Sequence, residues 1–142
     1  MSKASNYVEN QILDFYLNQG TGAGGSITAP STIHLGLFTV NPTESDEGSS
    51  GGTEVSGNNY SRVAITDKFG TASGTGGSLS SATDITGFTA TGGNWGTVTG
   101  VGIFDSASGG ELLFWTALEA NATVNNGDSF QISAGNLTVT VA

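Results

Sequence analysis

The chain has 142 residues, of which 36% are hydrophobic, 11% are charged and 23 are glycine. Twelve acidic residues outnumber the three cations Lys3, Arg62 and Lys68, giving a formal net charge of −9 and leaving residues 69–142 with neither Lys nor Arg. Nucleic acids and anionic membranes are bound through clustered cations, so both are excluded as partners. The absence of cysteine also excludes disulfides and thiolate metal sites.

The composition is poor in charge, rich in glycine and punctuated by β-branched residues, which predicts an all-β fold. We expect one domain over residues 1–142, an antiparallel β-sandwich of jelly-roll type with about seven or eight strands and one short N-terminal α-helix. No secretory signal and no membrane span is predicted, since no apolar run approaches about 20 residues. Glycine in regular structure costs about 0.5–1 kcal/mol relative to alanine, so contacts with other chains should contribute to stability.

The N-terminal segment carries the helix pattern. Asn6 followed by Glu9 approximates a capping box, and the helix should span about 5–18 before a Gly/Ser-rich linker at about 19–29. Its apolar stripe is formed by Val8, Ile12, Phe15 and Tyr16. Two interpretations stay open: the helix packs on its own domain, or it docks on a neighbouring chain.

Residues 20–26 match a GxGxxG pattern, but the match follows a helix and opens a linker, so it does not indicate dinucleotide binding. Residues 33–39 alternate as a strand, with Leu35 and Leu37 directed inward and His34 and Phe38 on the opposite face. His34 is the only histidine, and without a second one it indicates a surface or interface position rather than a metal or relay site.

The chain becomes polar between residues 41 and 59, and Glu44, Asp46 and Glu47 form its densest group of carboxylates. Such oxygens can hold calcium, but the spacing of an EF-hand loop is absent, and an exposed loop is favoured. A strand is predicted at 60–69. Arg62 within it is expected to pair with Glu54.

Residues 95–118 form the most informative stretch, because two strand-like arms flank the small-residue loop at 106–110. Gly100 and Gly102 lie on one face of the first arm and should leave a trough into which a large side chain or another chain can pack. On the second arm, core-facing and outward-facing side chains should alternate. The core is assigned Leu112, Phe114 and Leu118, and the outer face is assigned Leu113 and Trp115.

The remaining core candidates lie on either side of this hairpin. They are Ile85 and Phe88 before it, and Phe130 and Ile132 after it. Residues 125–128, with the sequence NNGD, are a strong turn signal, and 137–141 alternate as a final strand.

No chemistry-bearing constellation emerges. A serine hydrolase needs a histidine base and an orienting carboxylate, and a zinc enzyme needs more nitrogen ligands than one histidine supplies. A carboxylate pair of the glycosidase type stays open among the twelve acidic residues, but such sites usually add aromatic platforms, and the aromatic residues here are assigned to core strands. We therefore expect no enzymatic activity, no cofactor and no metal.

Several segments, taken together and in order, carry a resemblance: GTEV at 52–55, YSR at 60–62, WGTVTGVGIFD at 95–105, GELLFW at 110–115 and AGNLTVTV at 134–141. In this order they resemble a family of small tailed-bacteriophage virion proteins often labelled tail fibre proteins. The resemblance covers most of the chain and carries no catalytic motif. The glycine-rich insert at 70–78 and the low basic content depart from the family pattern without affecting the fold.

The resemblance implies a virion structural protein, made in the host cytoplasm. The compact, acidic composition without heptads or repeats favours a capsid decoration (cement) protein that binds between major capsid protein subunits on the capsid surface. The alternative is a tail component, a fibre or fibre-adaptor protein that contributes to host attachment, with tail proteins as partners. A free-standing carbohydrate-binding or calcium-binding module comes third.

A homo-oligomer is expected in either place, with a trimer favoured. The side chains that we expect at protein interfaces combine the helix stripe with the outer faces of two strands. They are Ile12, Phe15, Tyr16, His34, Phe38, Leu113 and Trp115.

Overall fold

A computed structural model of the chain describes residues 3–17, 28–43, 51–72 and 77–141. The acidic cluster Glu44, Asp46 and Glu47, most of the linker at 19–29 and residues 73–76 of the glycine-rich insert lie outside these ranges. The elements in chain order are β1 (Lys3–Ala4), α1 (Asn6–Leu17), β2 (His34–Val40), β3 (Thr53–Glu54), β4 (Val63–Ala64), β5 (Ser78–Ser80), β6 (Ile85–Thr89), β7 (Gly96–Phe104), β8 (Leu112–Val124), β9 (Ser129–Ile132) and β10 (Thr138–Thr140). The all-β prediction with one short N-terminal helix is confirmed.

The larger layer of the sandwich is an antiparallel sheet with the strand order β1-β8-β7-β2. The outer edge of β2 is shared by two short strands, since β4 pairs with its beginning and β3 with its end. The hairpin of β7 and β8 is the centre of this sheet, as its alternating sequence predicts. Its second arm continues to Val124, beyond the predicted end at Leu118.

The second layer consists of two antiparallel ribbons, β6–β9 and β5–β10. The main core lies between the layers, because alternate side chains of each strand point to the same face. From the larger sheet it receives Leu35, Leu37, Val101 and Ile103, and from the ribbons Ile85, Phe88, Phe130 and Leu137. The predicted inward residues Leu35, Leu37, Ile85 and Phe88 are each no more than 1% exposed.

One irregularity in the β7–β8 pairing corrects the predicted faces of the second arm. Ile103 pairs with Phe114 but Phe104 pairs with Leu112, so one residue of β8 is extra at this point. A bulge of this kind shifts the alternation by one residue. Leu112 therefore lies on the outer face, where we had assigned it to the core, and Leu113 packs against the main core.

Other differences concern short elements. The predicted strand at 60–69 is reduced to Val63–Ala64, because the flanking residues make side-chain contacts and turns instead. Strands β1, β3 and β5 have only two or three residues, which is too short for an alternating pattern to predict them. The helix begins after Ser5, whose buried hydroxyl accepts a hydrogen bond of 3.4 Å from the Val8 N–H, so Ser5 rather than Asn6 is its cap.

Candidate interaction surfaces

The outer face of the larger sheet carries a second apolar cluster. Phe38, Phe104 and Leu112 are each no more than 2% exposed, and the half-buried Trp115 packs beside them. Gly102, one of the two glycines of the predicted trough, makes this possible. A Cβ at Gly102 would lie 2.6 Å from the Phe38 ring and 2.7 Å from the Leu112 side chain. The trough is therefore filled by the chain's own side chains.

Arg62 covers this outer cluster. Its guanidinium carbon lies 3.4 Å from the centroid of the Phe104 ring, a stacked cation–π contact. Two of its nitrogens bind the Glu54 carboxylate at 2.8 and 2.7 Å, and a third donates to the carbonyls of Ser106 and Gly109. The predicted pair with Glu54 is confirmed, and it anchors the hairpin loop to the β3–β4 segment.

Tyr60 continues this network across the edge of β2. Its hydroxyl donates to Glu54 Oε1 at 2.7 Å and accepts from the Leu37 N–H at 2.8 Å, in the gap between β3 and β4. Burial raises the pKa of Tyr60 well above its usual range, and the hydrogen bond to Glu54 adds to this. The phenol is thus held neutral as a structural tether.

Helix α1 has a different environment. It contacts β1 and β8, but none of its residues is buried. Four apolar side chains are exposed: Leu13 (54%), Phe15 (43%), Tyr16 (72%) and Leu17 (78%). Exposed apolar side chains in a group of this size are typical of interaction sites.

The residues predicted at protein interfaces therefore fall into two groups. Phe38 is covered by its own domain, whereas Phe15 and Tyr16 are exposed and Ile12 is half-buried. Trp115 lies under the Lys3 ammonium, 5.7 Å from its ring. His34 is half-buried and pairs with Phe104 and Ala64, and its Nδ1 has no hydrogen-bond partner within the described residues.

Sequence reasoning missed a groove on the side of the sandwich. It lies between residues 116–122 of β8 and residues 130–138, encloses about 620 Å³, and is called the β8 groove below. Val98 of β7 pairs with Ala122, and Gly100 pairs with Ala117, so four residues of β8, 118–121, lie opposite the single residue Thr99. These four residues bulge out of the strand pairing and form one wall of the groove. A four-residue bulge leaves no signal in the alternation, which is why the groove could not be predicted.

Within the described ranges, no three side chains of the metal-binding types come together. None of the described residues belongs to a helix whose length and apolar character would let it cross a bilayer. The acidic cluster Glu44, Asp46 and Glu47, for which calcium binding was the less favoured alternative, lies outside the described residues.

The fold and its surfaces define a small β-sandwich module with a sealed outer cluster, an exposed apolar helix and an open groove. The profile of a family described as Podophage GP4 fiber I protein gp80 matches residues 3–140. The match spans nearly the whole chain, and the chain belongs to this family of phage virion structural proteins. No curated protein matches the sequence significantly.

Proposed function

We propose that this protein is a non-enzymatic component of a phage tail, part of a fibre or of its attachment, that contributes to host binding. The observation that carries the proposal is the match of a fibre-protein family to residues 3–140. Capsid decoration, which the sequence alone favoured, receives no support from this match.

Localisation on intact virions tests the proposal. Immunogold labelling with an antibody to this chain should mark the tail, at a copy number of a few to a few tens per particle. An antibody to the major capsid protein serves as the control for the head. Label spread over the capsid at hundreds of copies would reject the tail assignment and restore capsid decoration.

We further propose that the chain forms a homotrimer through α1, with neighbouring copies covering its exposed side chains. Two observations support this: α1 contributes no buried residue to its own domain, and Phe15, Tyr16 and Leu17 are exposed next to one another. Repeated copies of one apolar surface can cover each other around a symmetry axis. Tail proteins of the same virion would then bind the assembled trimer.

The molar mass in solution, measured by light scattering during size-exclusion chromatography, tests this arrangement. The wild-type chain should elute as a trimer, and the double variant Tyr16→Ser, Leu17→Ser as a monomer. Asn10→Ala, at an exposed polar position of the same helix, is the matched control and should stay trimeric. A trimer that survives the double substitution would place the contact elsewhere.

A further inference from the structure

The β8 groove is large enough for a ligand, and its walls are mainly polar. Its volume of about 620 Å³ lies within the range of small-molecule sites, roughly 300–1,000 Å³. Leu118, Ala120 and Ile132 contribute accessible apolar atoms to it, whereas Glu119, Gln131 and Asn136 contribute carboxylate and amide groups. We propose that the β8 groove binds a neutral oligosaccharide.

The polar side chains of the groove are available for a ligand. The side chains of Gln131, Asn136 and Glu119 are exposed and make no hydrogen bond to other described residues. Each amide offers both a carbonyl acceptor and an NH₂ donor, and the carboxylate offers acceptors. A sugar hydroxyl is a donor and an acceptor at once, so the two amides of Gln131 and Asn136 match the hydrogen-bonding groups of a saccharide well. Apolar atoms beneath them can cover the C–H surface of a sugar ring.

The charge of the groove selects among saccharides. Among the described lining residues, Glu119 is the only charged one, and none is Lys or Arg. With a net charge of −9 on the chain, an anionic sugar would be repelled. The ligand class is therefore neutral rather than phosphorylated or carboxylated.

The wall opposite β8 is held rigidly before any ligand arrives. The Ser81 N–H donates to the Leu137 carbonyl at 2.8 Å, and the Gly135 N–H donates to the Ser81 carbonyl at 2.7 Å. The Ala134 N–H donates to the Asp84 carboxylate at 2.8 Å. Because this turn is fixed, the Asn136 backbone needs no ordering on binding, which favours affinity.

A peptide strand fits the same place less well. Strand addition needs a regular edge with unpaired N–H and C=O groups, and bulges prevent such pairing. The irregular residues 118–121 of β8 interrupt the edge at the groove. A wholly apolar ligand fits less well, because it would cover the polar side chains of Glu119, Gln131 and Asn136 without offering them hydrogen-bond partners.

This inference rests on the proposed role in host attachment, for which a surface saccharide is a suitable target. The test is a glycan microarray of neutral and acidic bacterial oligosaccharides probed with the full chain, followed by calorimetry with the tightest neutral ligand. The double variant Gln131→Ala, Asn136→Ala should lose about 4- to 100-fold in affinity, since each of two neutral hydrogen bonds contributes a factor of about 2–10.

Two further variants make the test specific. Asn10→Ala removes an exposed amide outside the groove and should leave binding unchanged. Glu119→Gln keeps an acceptor but removes the charge, so binding of a neutral glycan should weaken by no more than about tenfold, the difference between a charged and a neutral hydrogen bond. Unchanged melting temperatures of all variants would establish that the fold is intact.

The proposal is overturned if no neutral glycan binds, if acidic glycans bind more tightly, or if the double variant binds as well as the wild type. A large loss in Glu119→Gln would identify a cationic ligand and also overturn it. Virion imaging separates this result from the tail assignment: tail labelling without glycan binding rejects only the groove, and glycan binding with capsid labelling rejects only the tail role.

Discussion

The outer cluster of Phe38, Phe104 and Leu112 and the helix α1 both carry apolar side chains that look alike in the sequence. The side chains of the outer cluster are buried in their own domain, whereas four of those on α1 are exposed. Both carry aromatic residues that we expected at interfaces. In the outer cluster, the rings close over Gly102 and Arg62 covers them. On α1, Phe15, Tyr16 and Leu17 stay exposed, because the helix touches the sheet with only one side.

The difference shows that hydrophobicity alone does not mark an interface. An apolar surface is available for an interface only when no other side chain of the same domain covers it. For the outer cluster, the covering group is a single guanidinium fixed by Glu54. No described residue covers the outward side of α1, so the helix is the better candidate for contact with another chain.

The largest expected effect distinguishes the two regions directly. Phe38→Ala should lower the free energy of unfolding by about 3–5 kcal/mol, because it opens a cavity at a fully buried ring. Phe15→Ala should lower it by less than about 1 kcal/mol in the monomer, since that ring is 43% exposed. Denaturant unfolding of both variants in the monomeric Tyr16→Ser, Leu17→Ser background measures the comparison, and equal losses would mean that α1 is part of the core.

The next prediction concerns the cover of the outer cluster. Glu54→Gln should lower the free energy of unfolding by about 2–3 kcal/mol, because the Arg62 side chain is only 6% exposed and loses its counter-charge. Asp67→Asn is the control: it removes the wider 3.9 Å pair to Lys68 at the surface and should cost under about 0.5 kcal/mol. If chemical denaturation gives similar losses of unfolding free energy for Glu54→Gln and Asp67→Asn, the Arg62–Glu54 pair acts as an ordinary surface pair.

Gly102→Ala tests how tightly the trough is filled. The added methyl group meets Phe38 and Leu112, so we expect a loss of about 1–2 kcal/mol from overpacking. Gly70→Ala serves as the reference, because no atom lies within 4 Å of its would-be Cβ. It should be neutral or slightly stabilising, through the lower entropy of the unfolded chain. If Gly102→Ala has the same melting temperature as the wild type, the trough at Gly102 is not tightly filled.

The smallest effect appears only at high pH. The raised pKa of Tyr60 contributes stability that is fully present below the unfolded-state value of about 10 and is lost as the pH rises further. One of the three tyrosines should therefore stay neutral in alkali until the chain unfolds. Ultraviolet absorbance of tyrosinate follows this delayed step, which Tyr60→Phe should abolish. If Tyr60→Phe titrates like the wild type, the buried phenol is not the delayed group.

Much of the sandwich could be read from local patterns. The hairpin, the turn at 125–128 and the inward faces of β2 and β6 follow from alternation and turn chemistry. The pair of Arg62 with Glu54 was predictable because Arg62 is the only guanidinium and carboxylates are many. The exchange of faces between Leu112 and Leu113 was not predictable, because a bulge changes the register without changing the composition.

The sequence by itself determined the all-β class, the terminal helix, the central hairpin and the absence of a cationic surface, since each depends on local periodicity or on residue counts. Only the tertiary structure decided which apolar side chains are covered and where a groove opens. Those outcomes depend on cross-strand register and on contacts between residues distant in the chain. Arg62 on Phe104 and the bulged wall of the β8 groove are examples, and neither leaves a mark on local sequence.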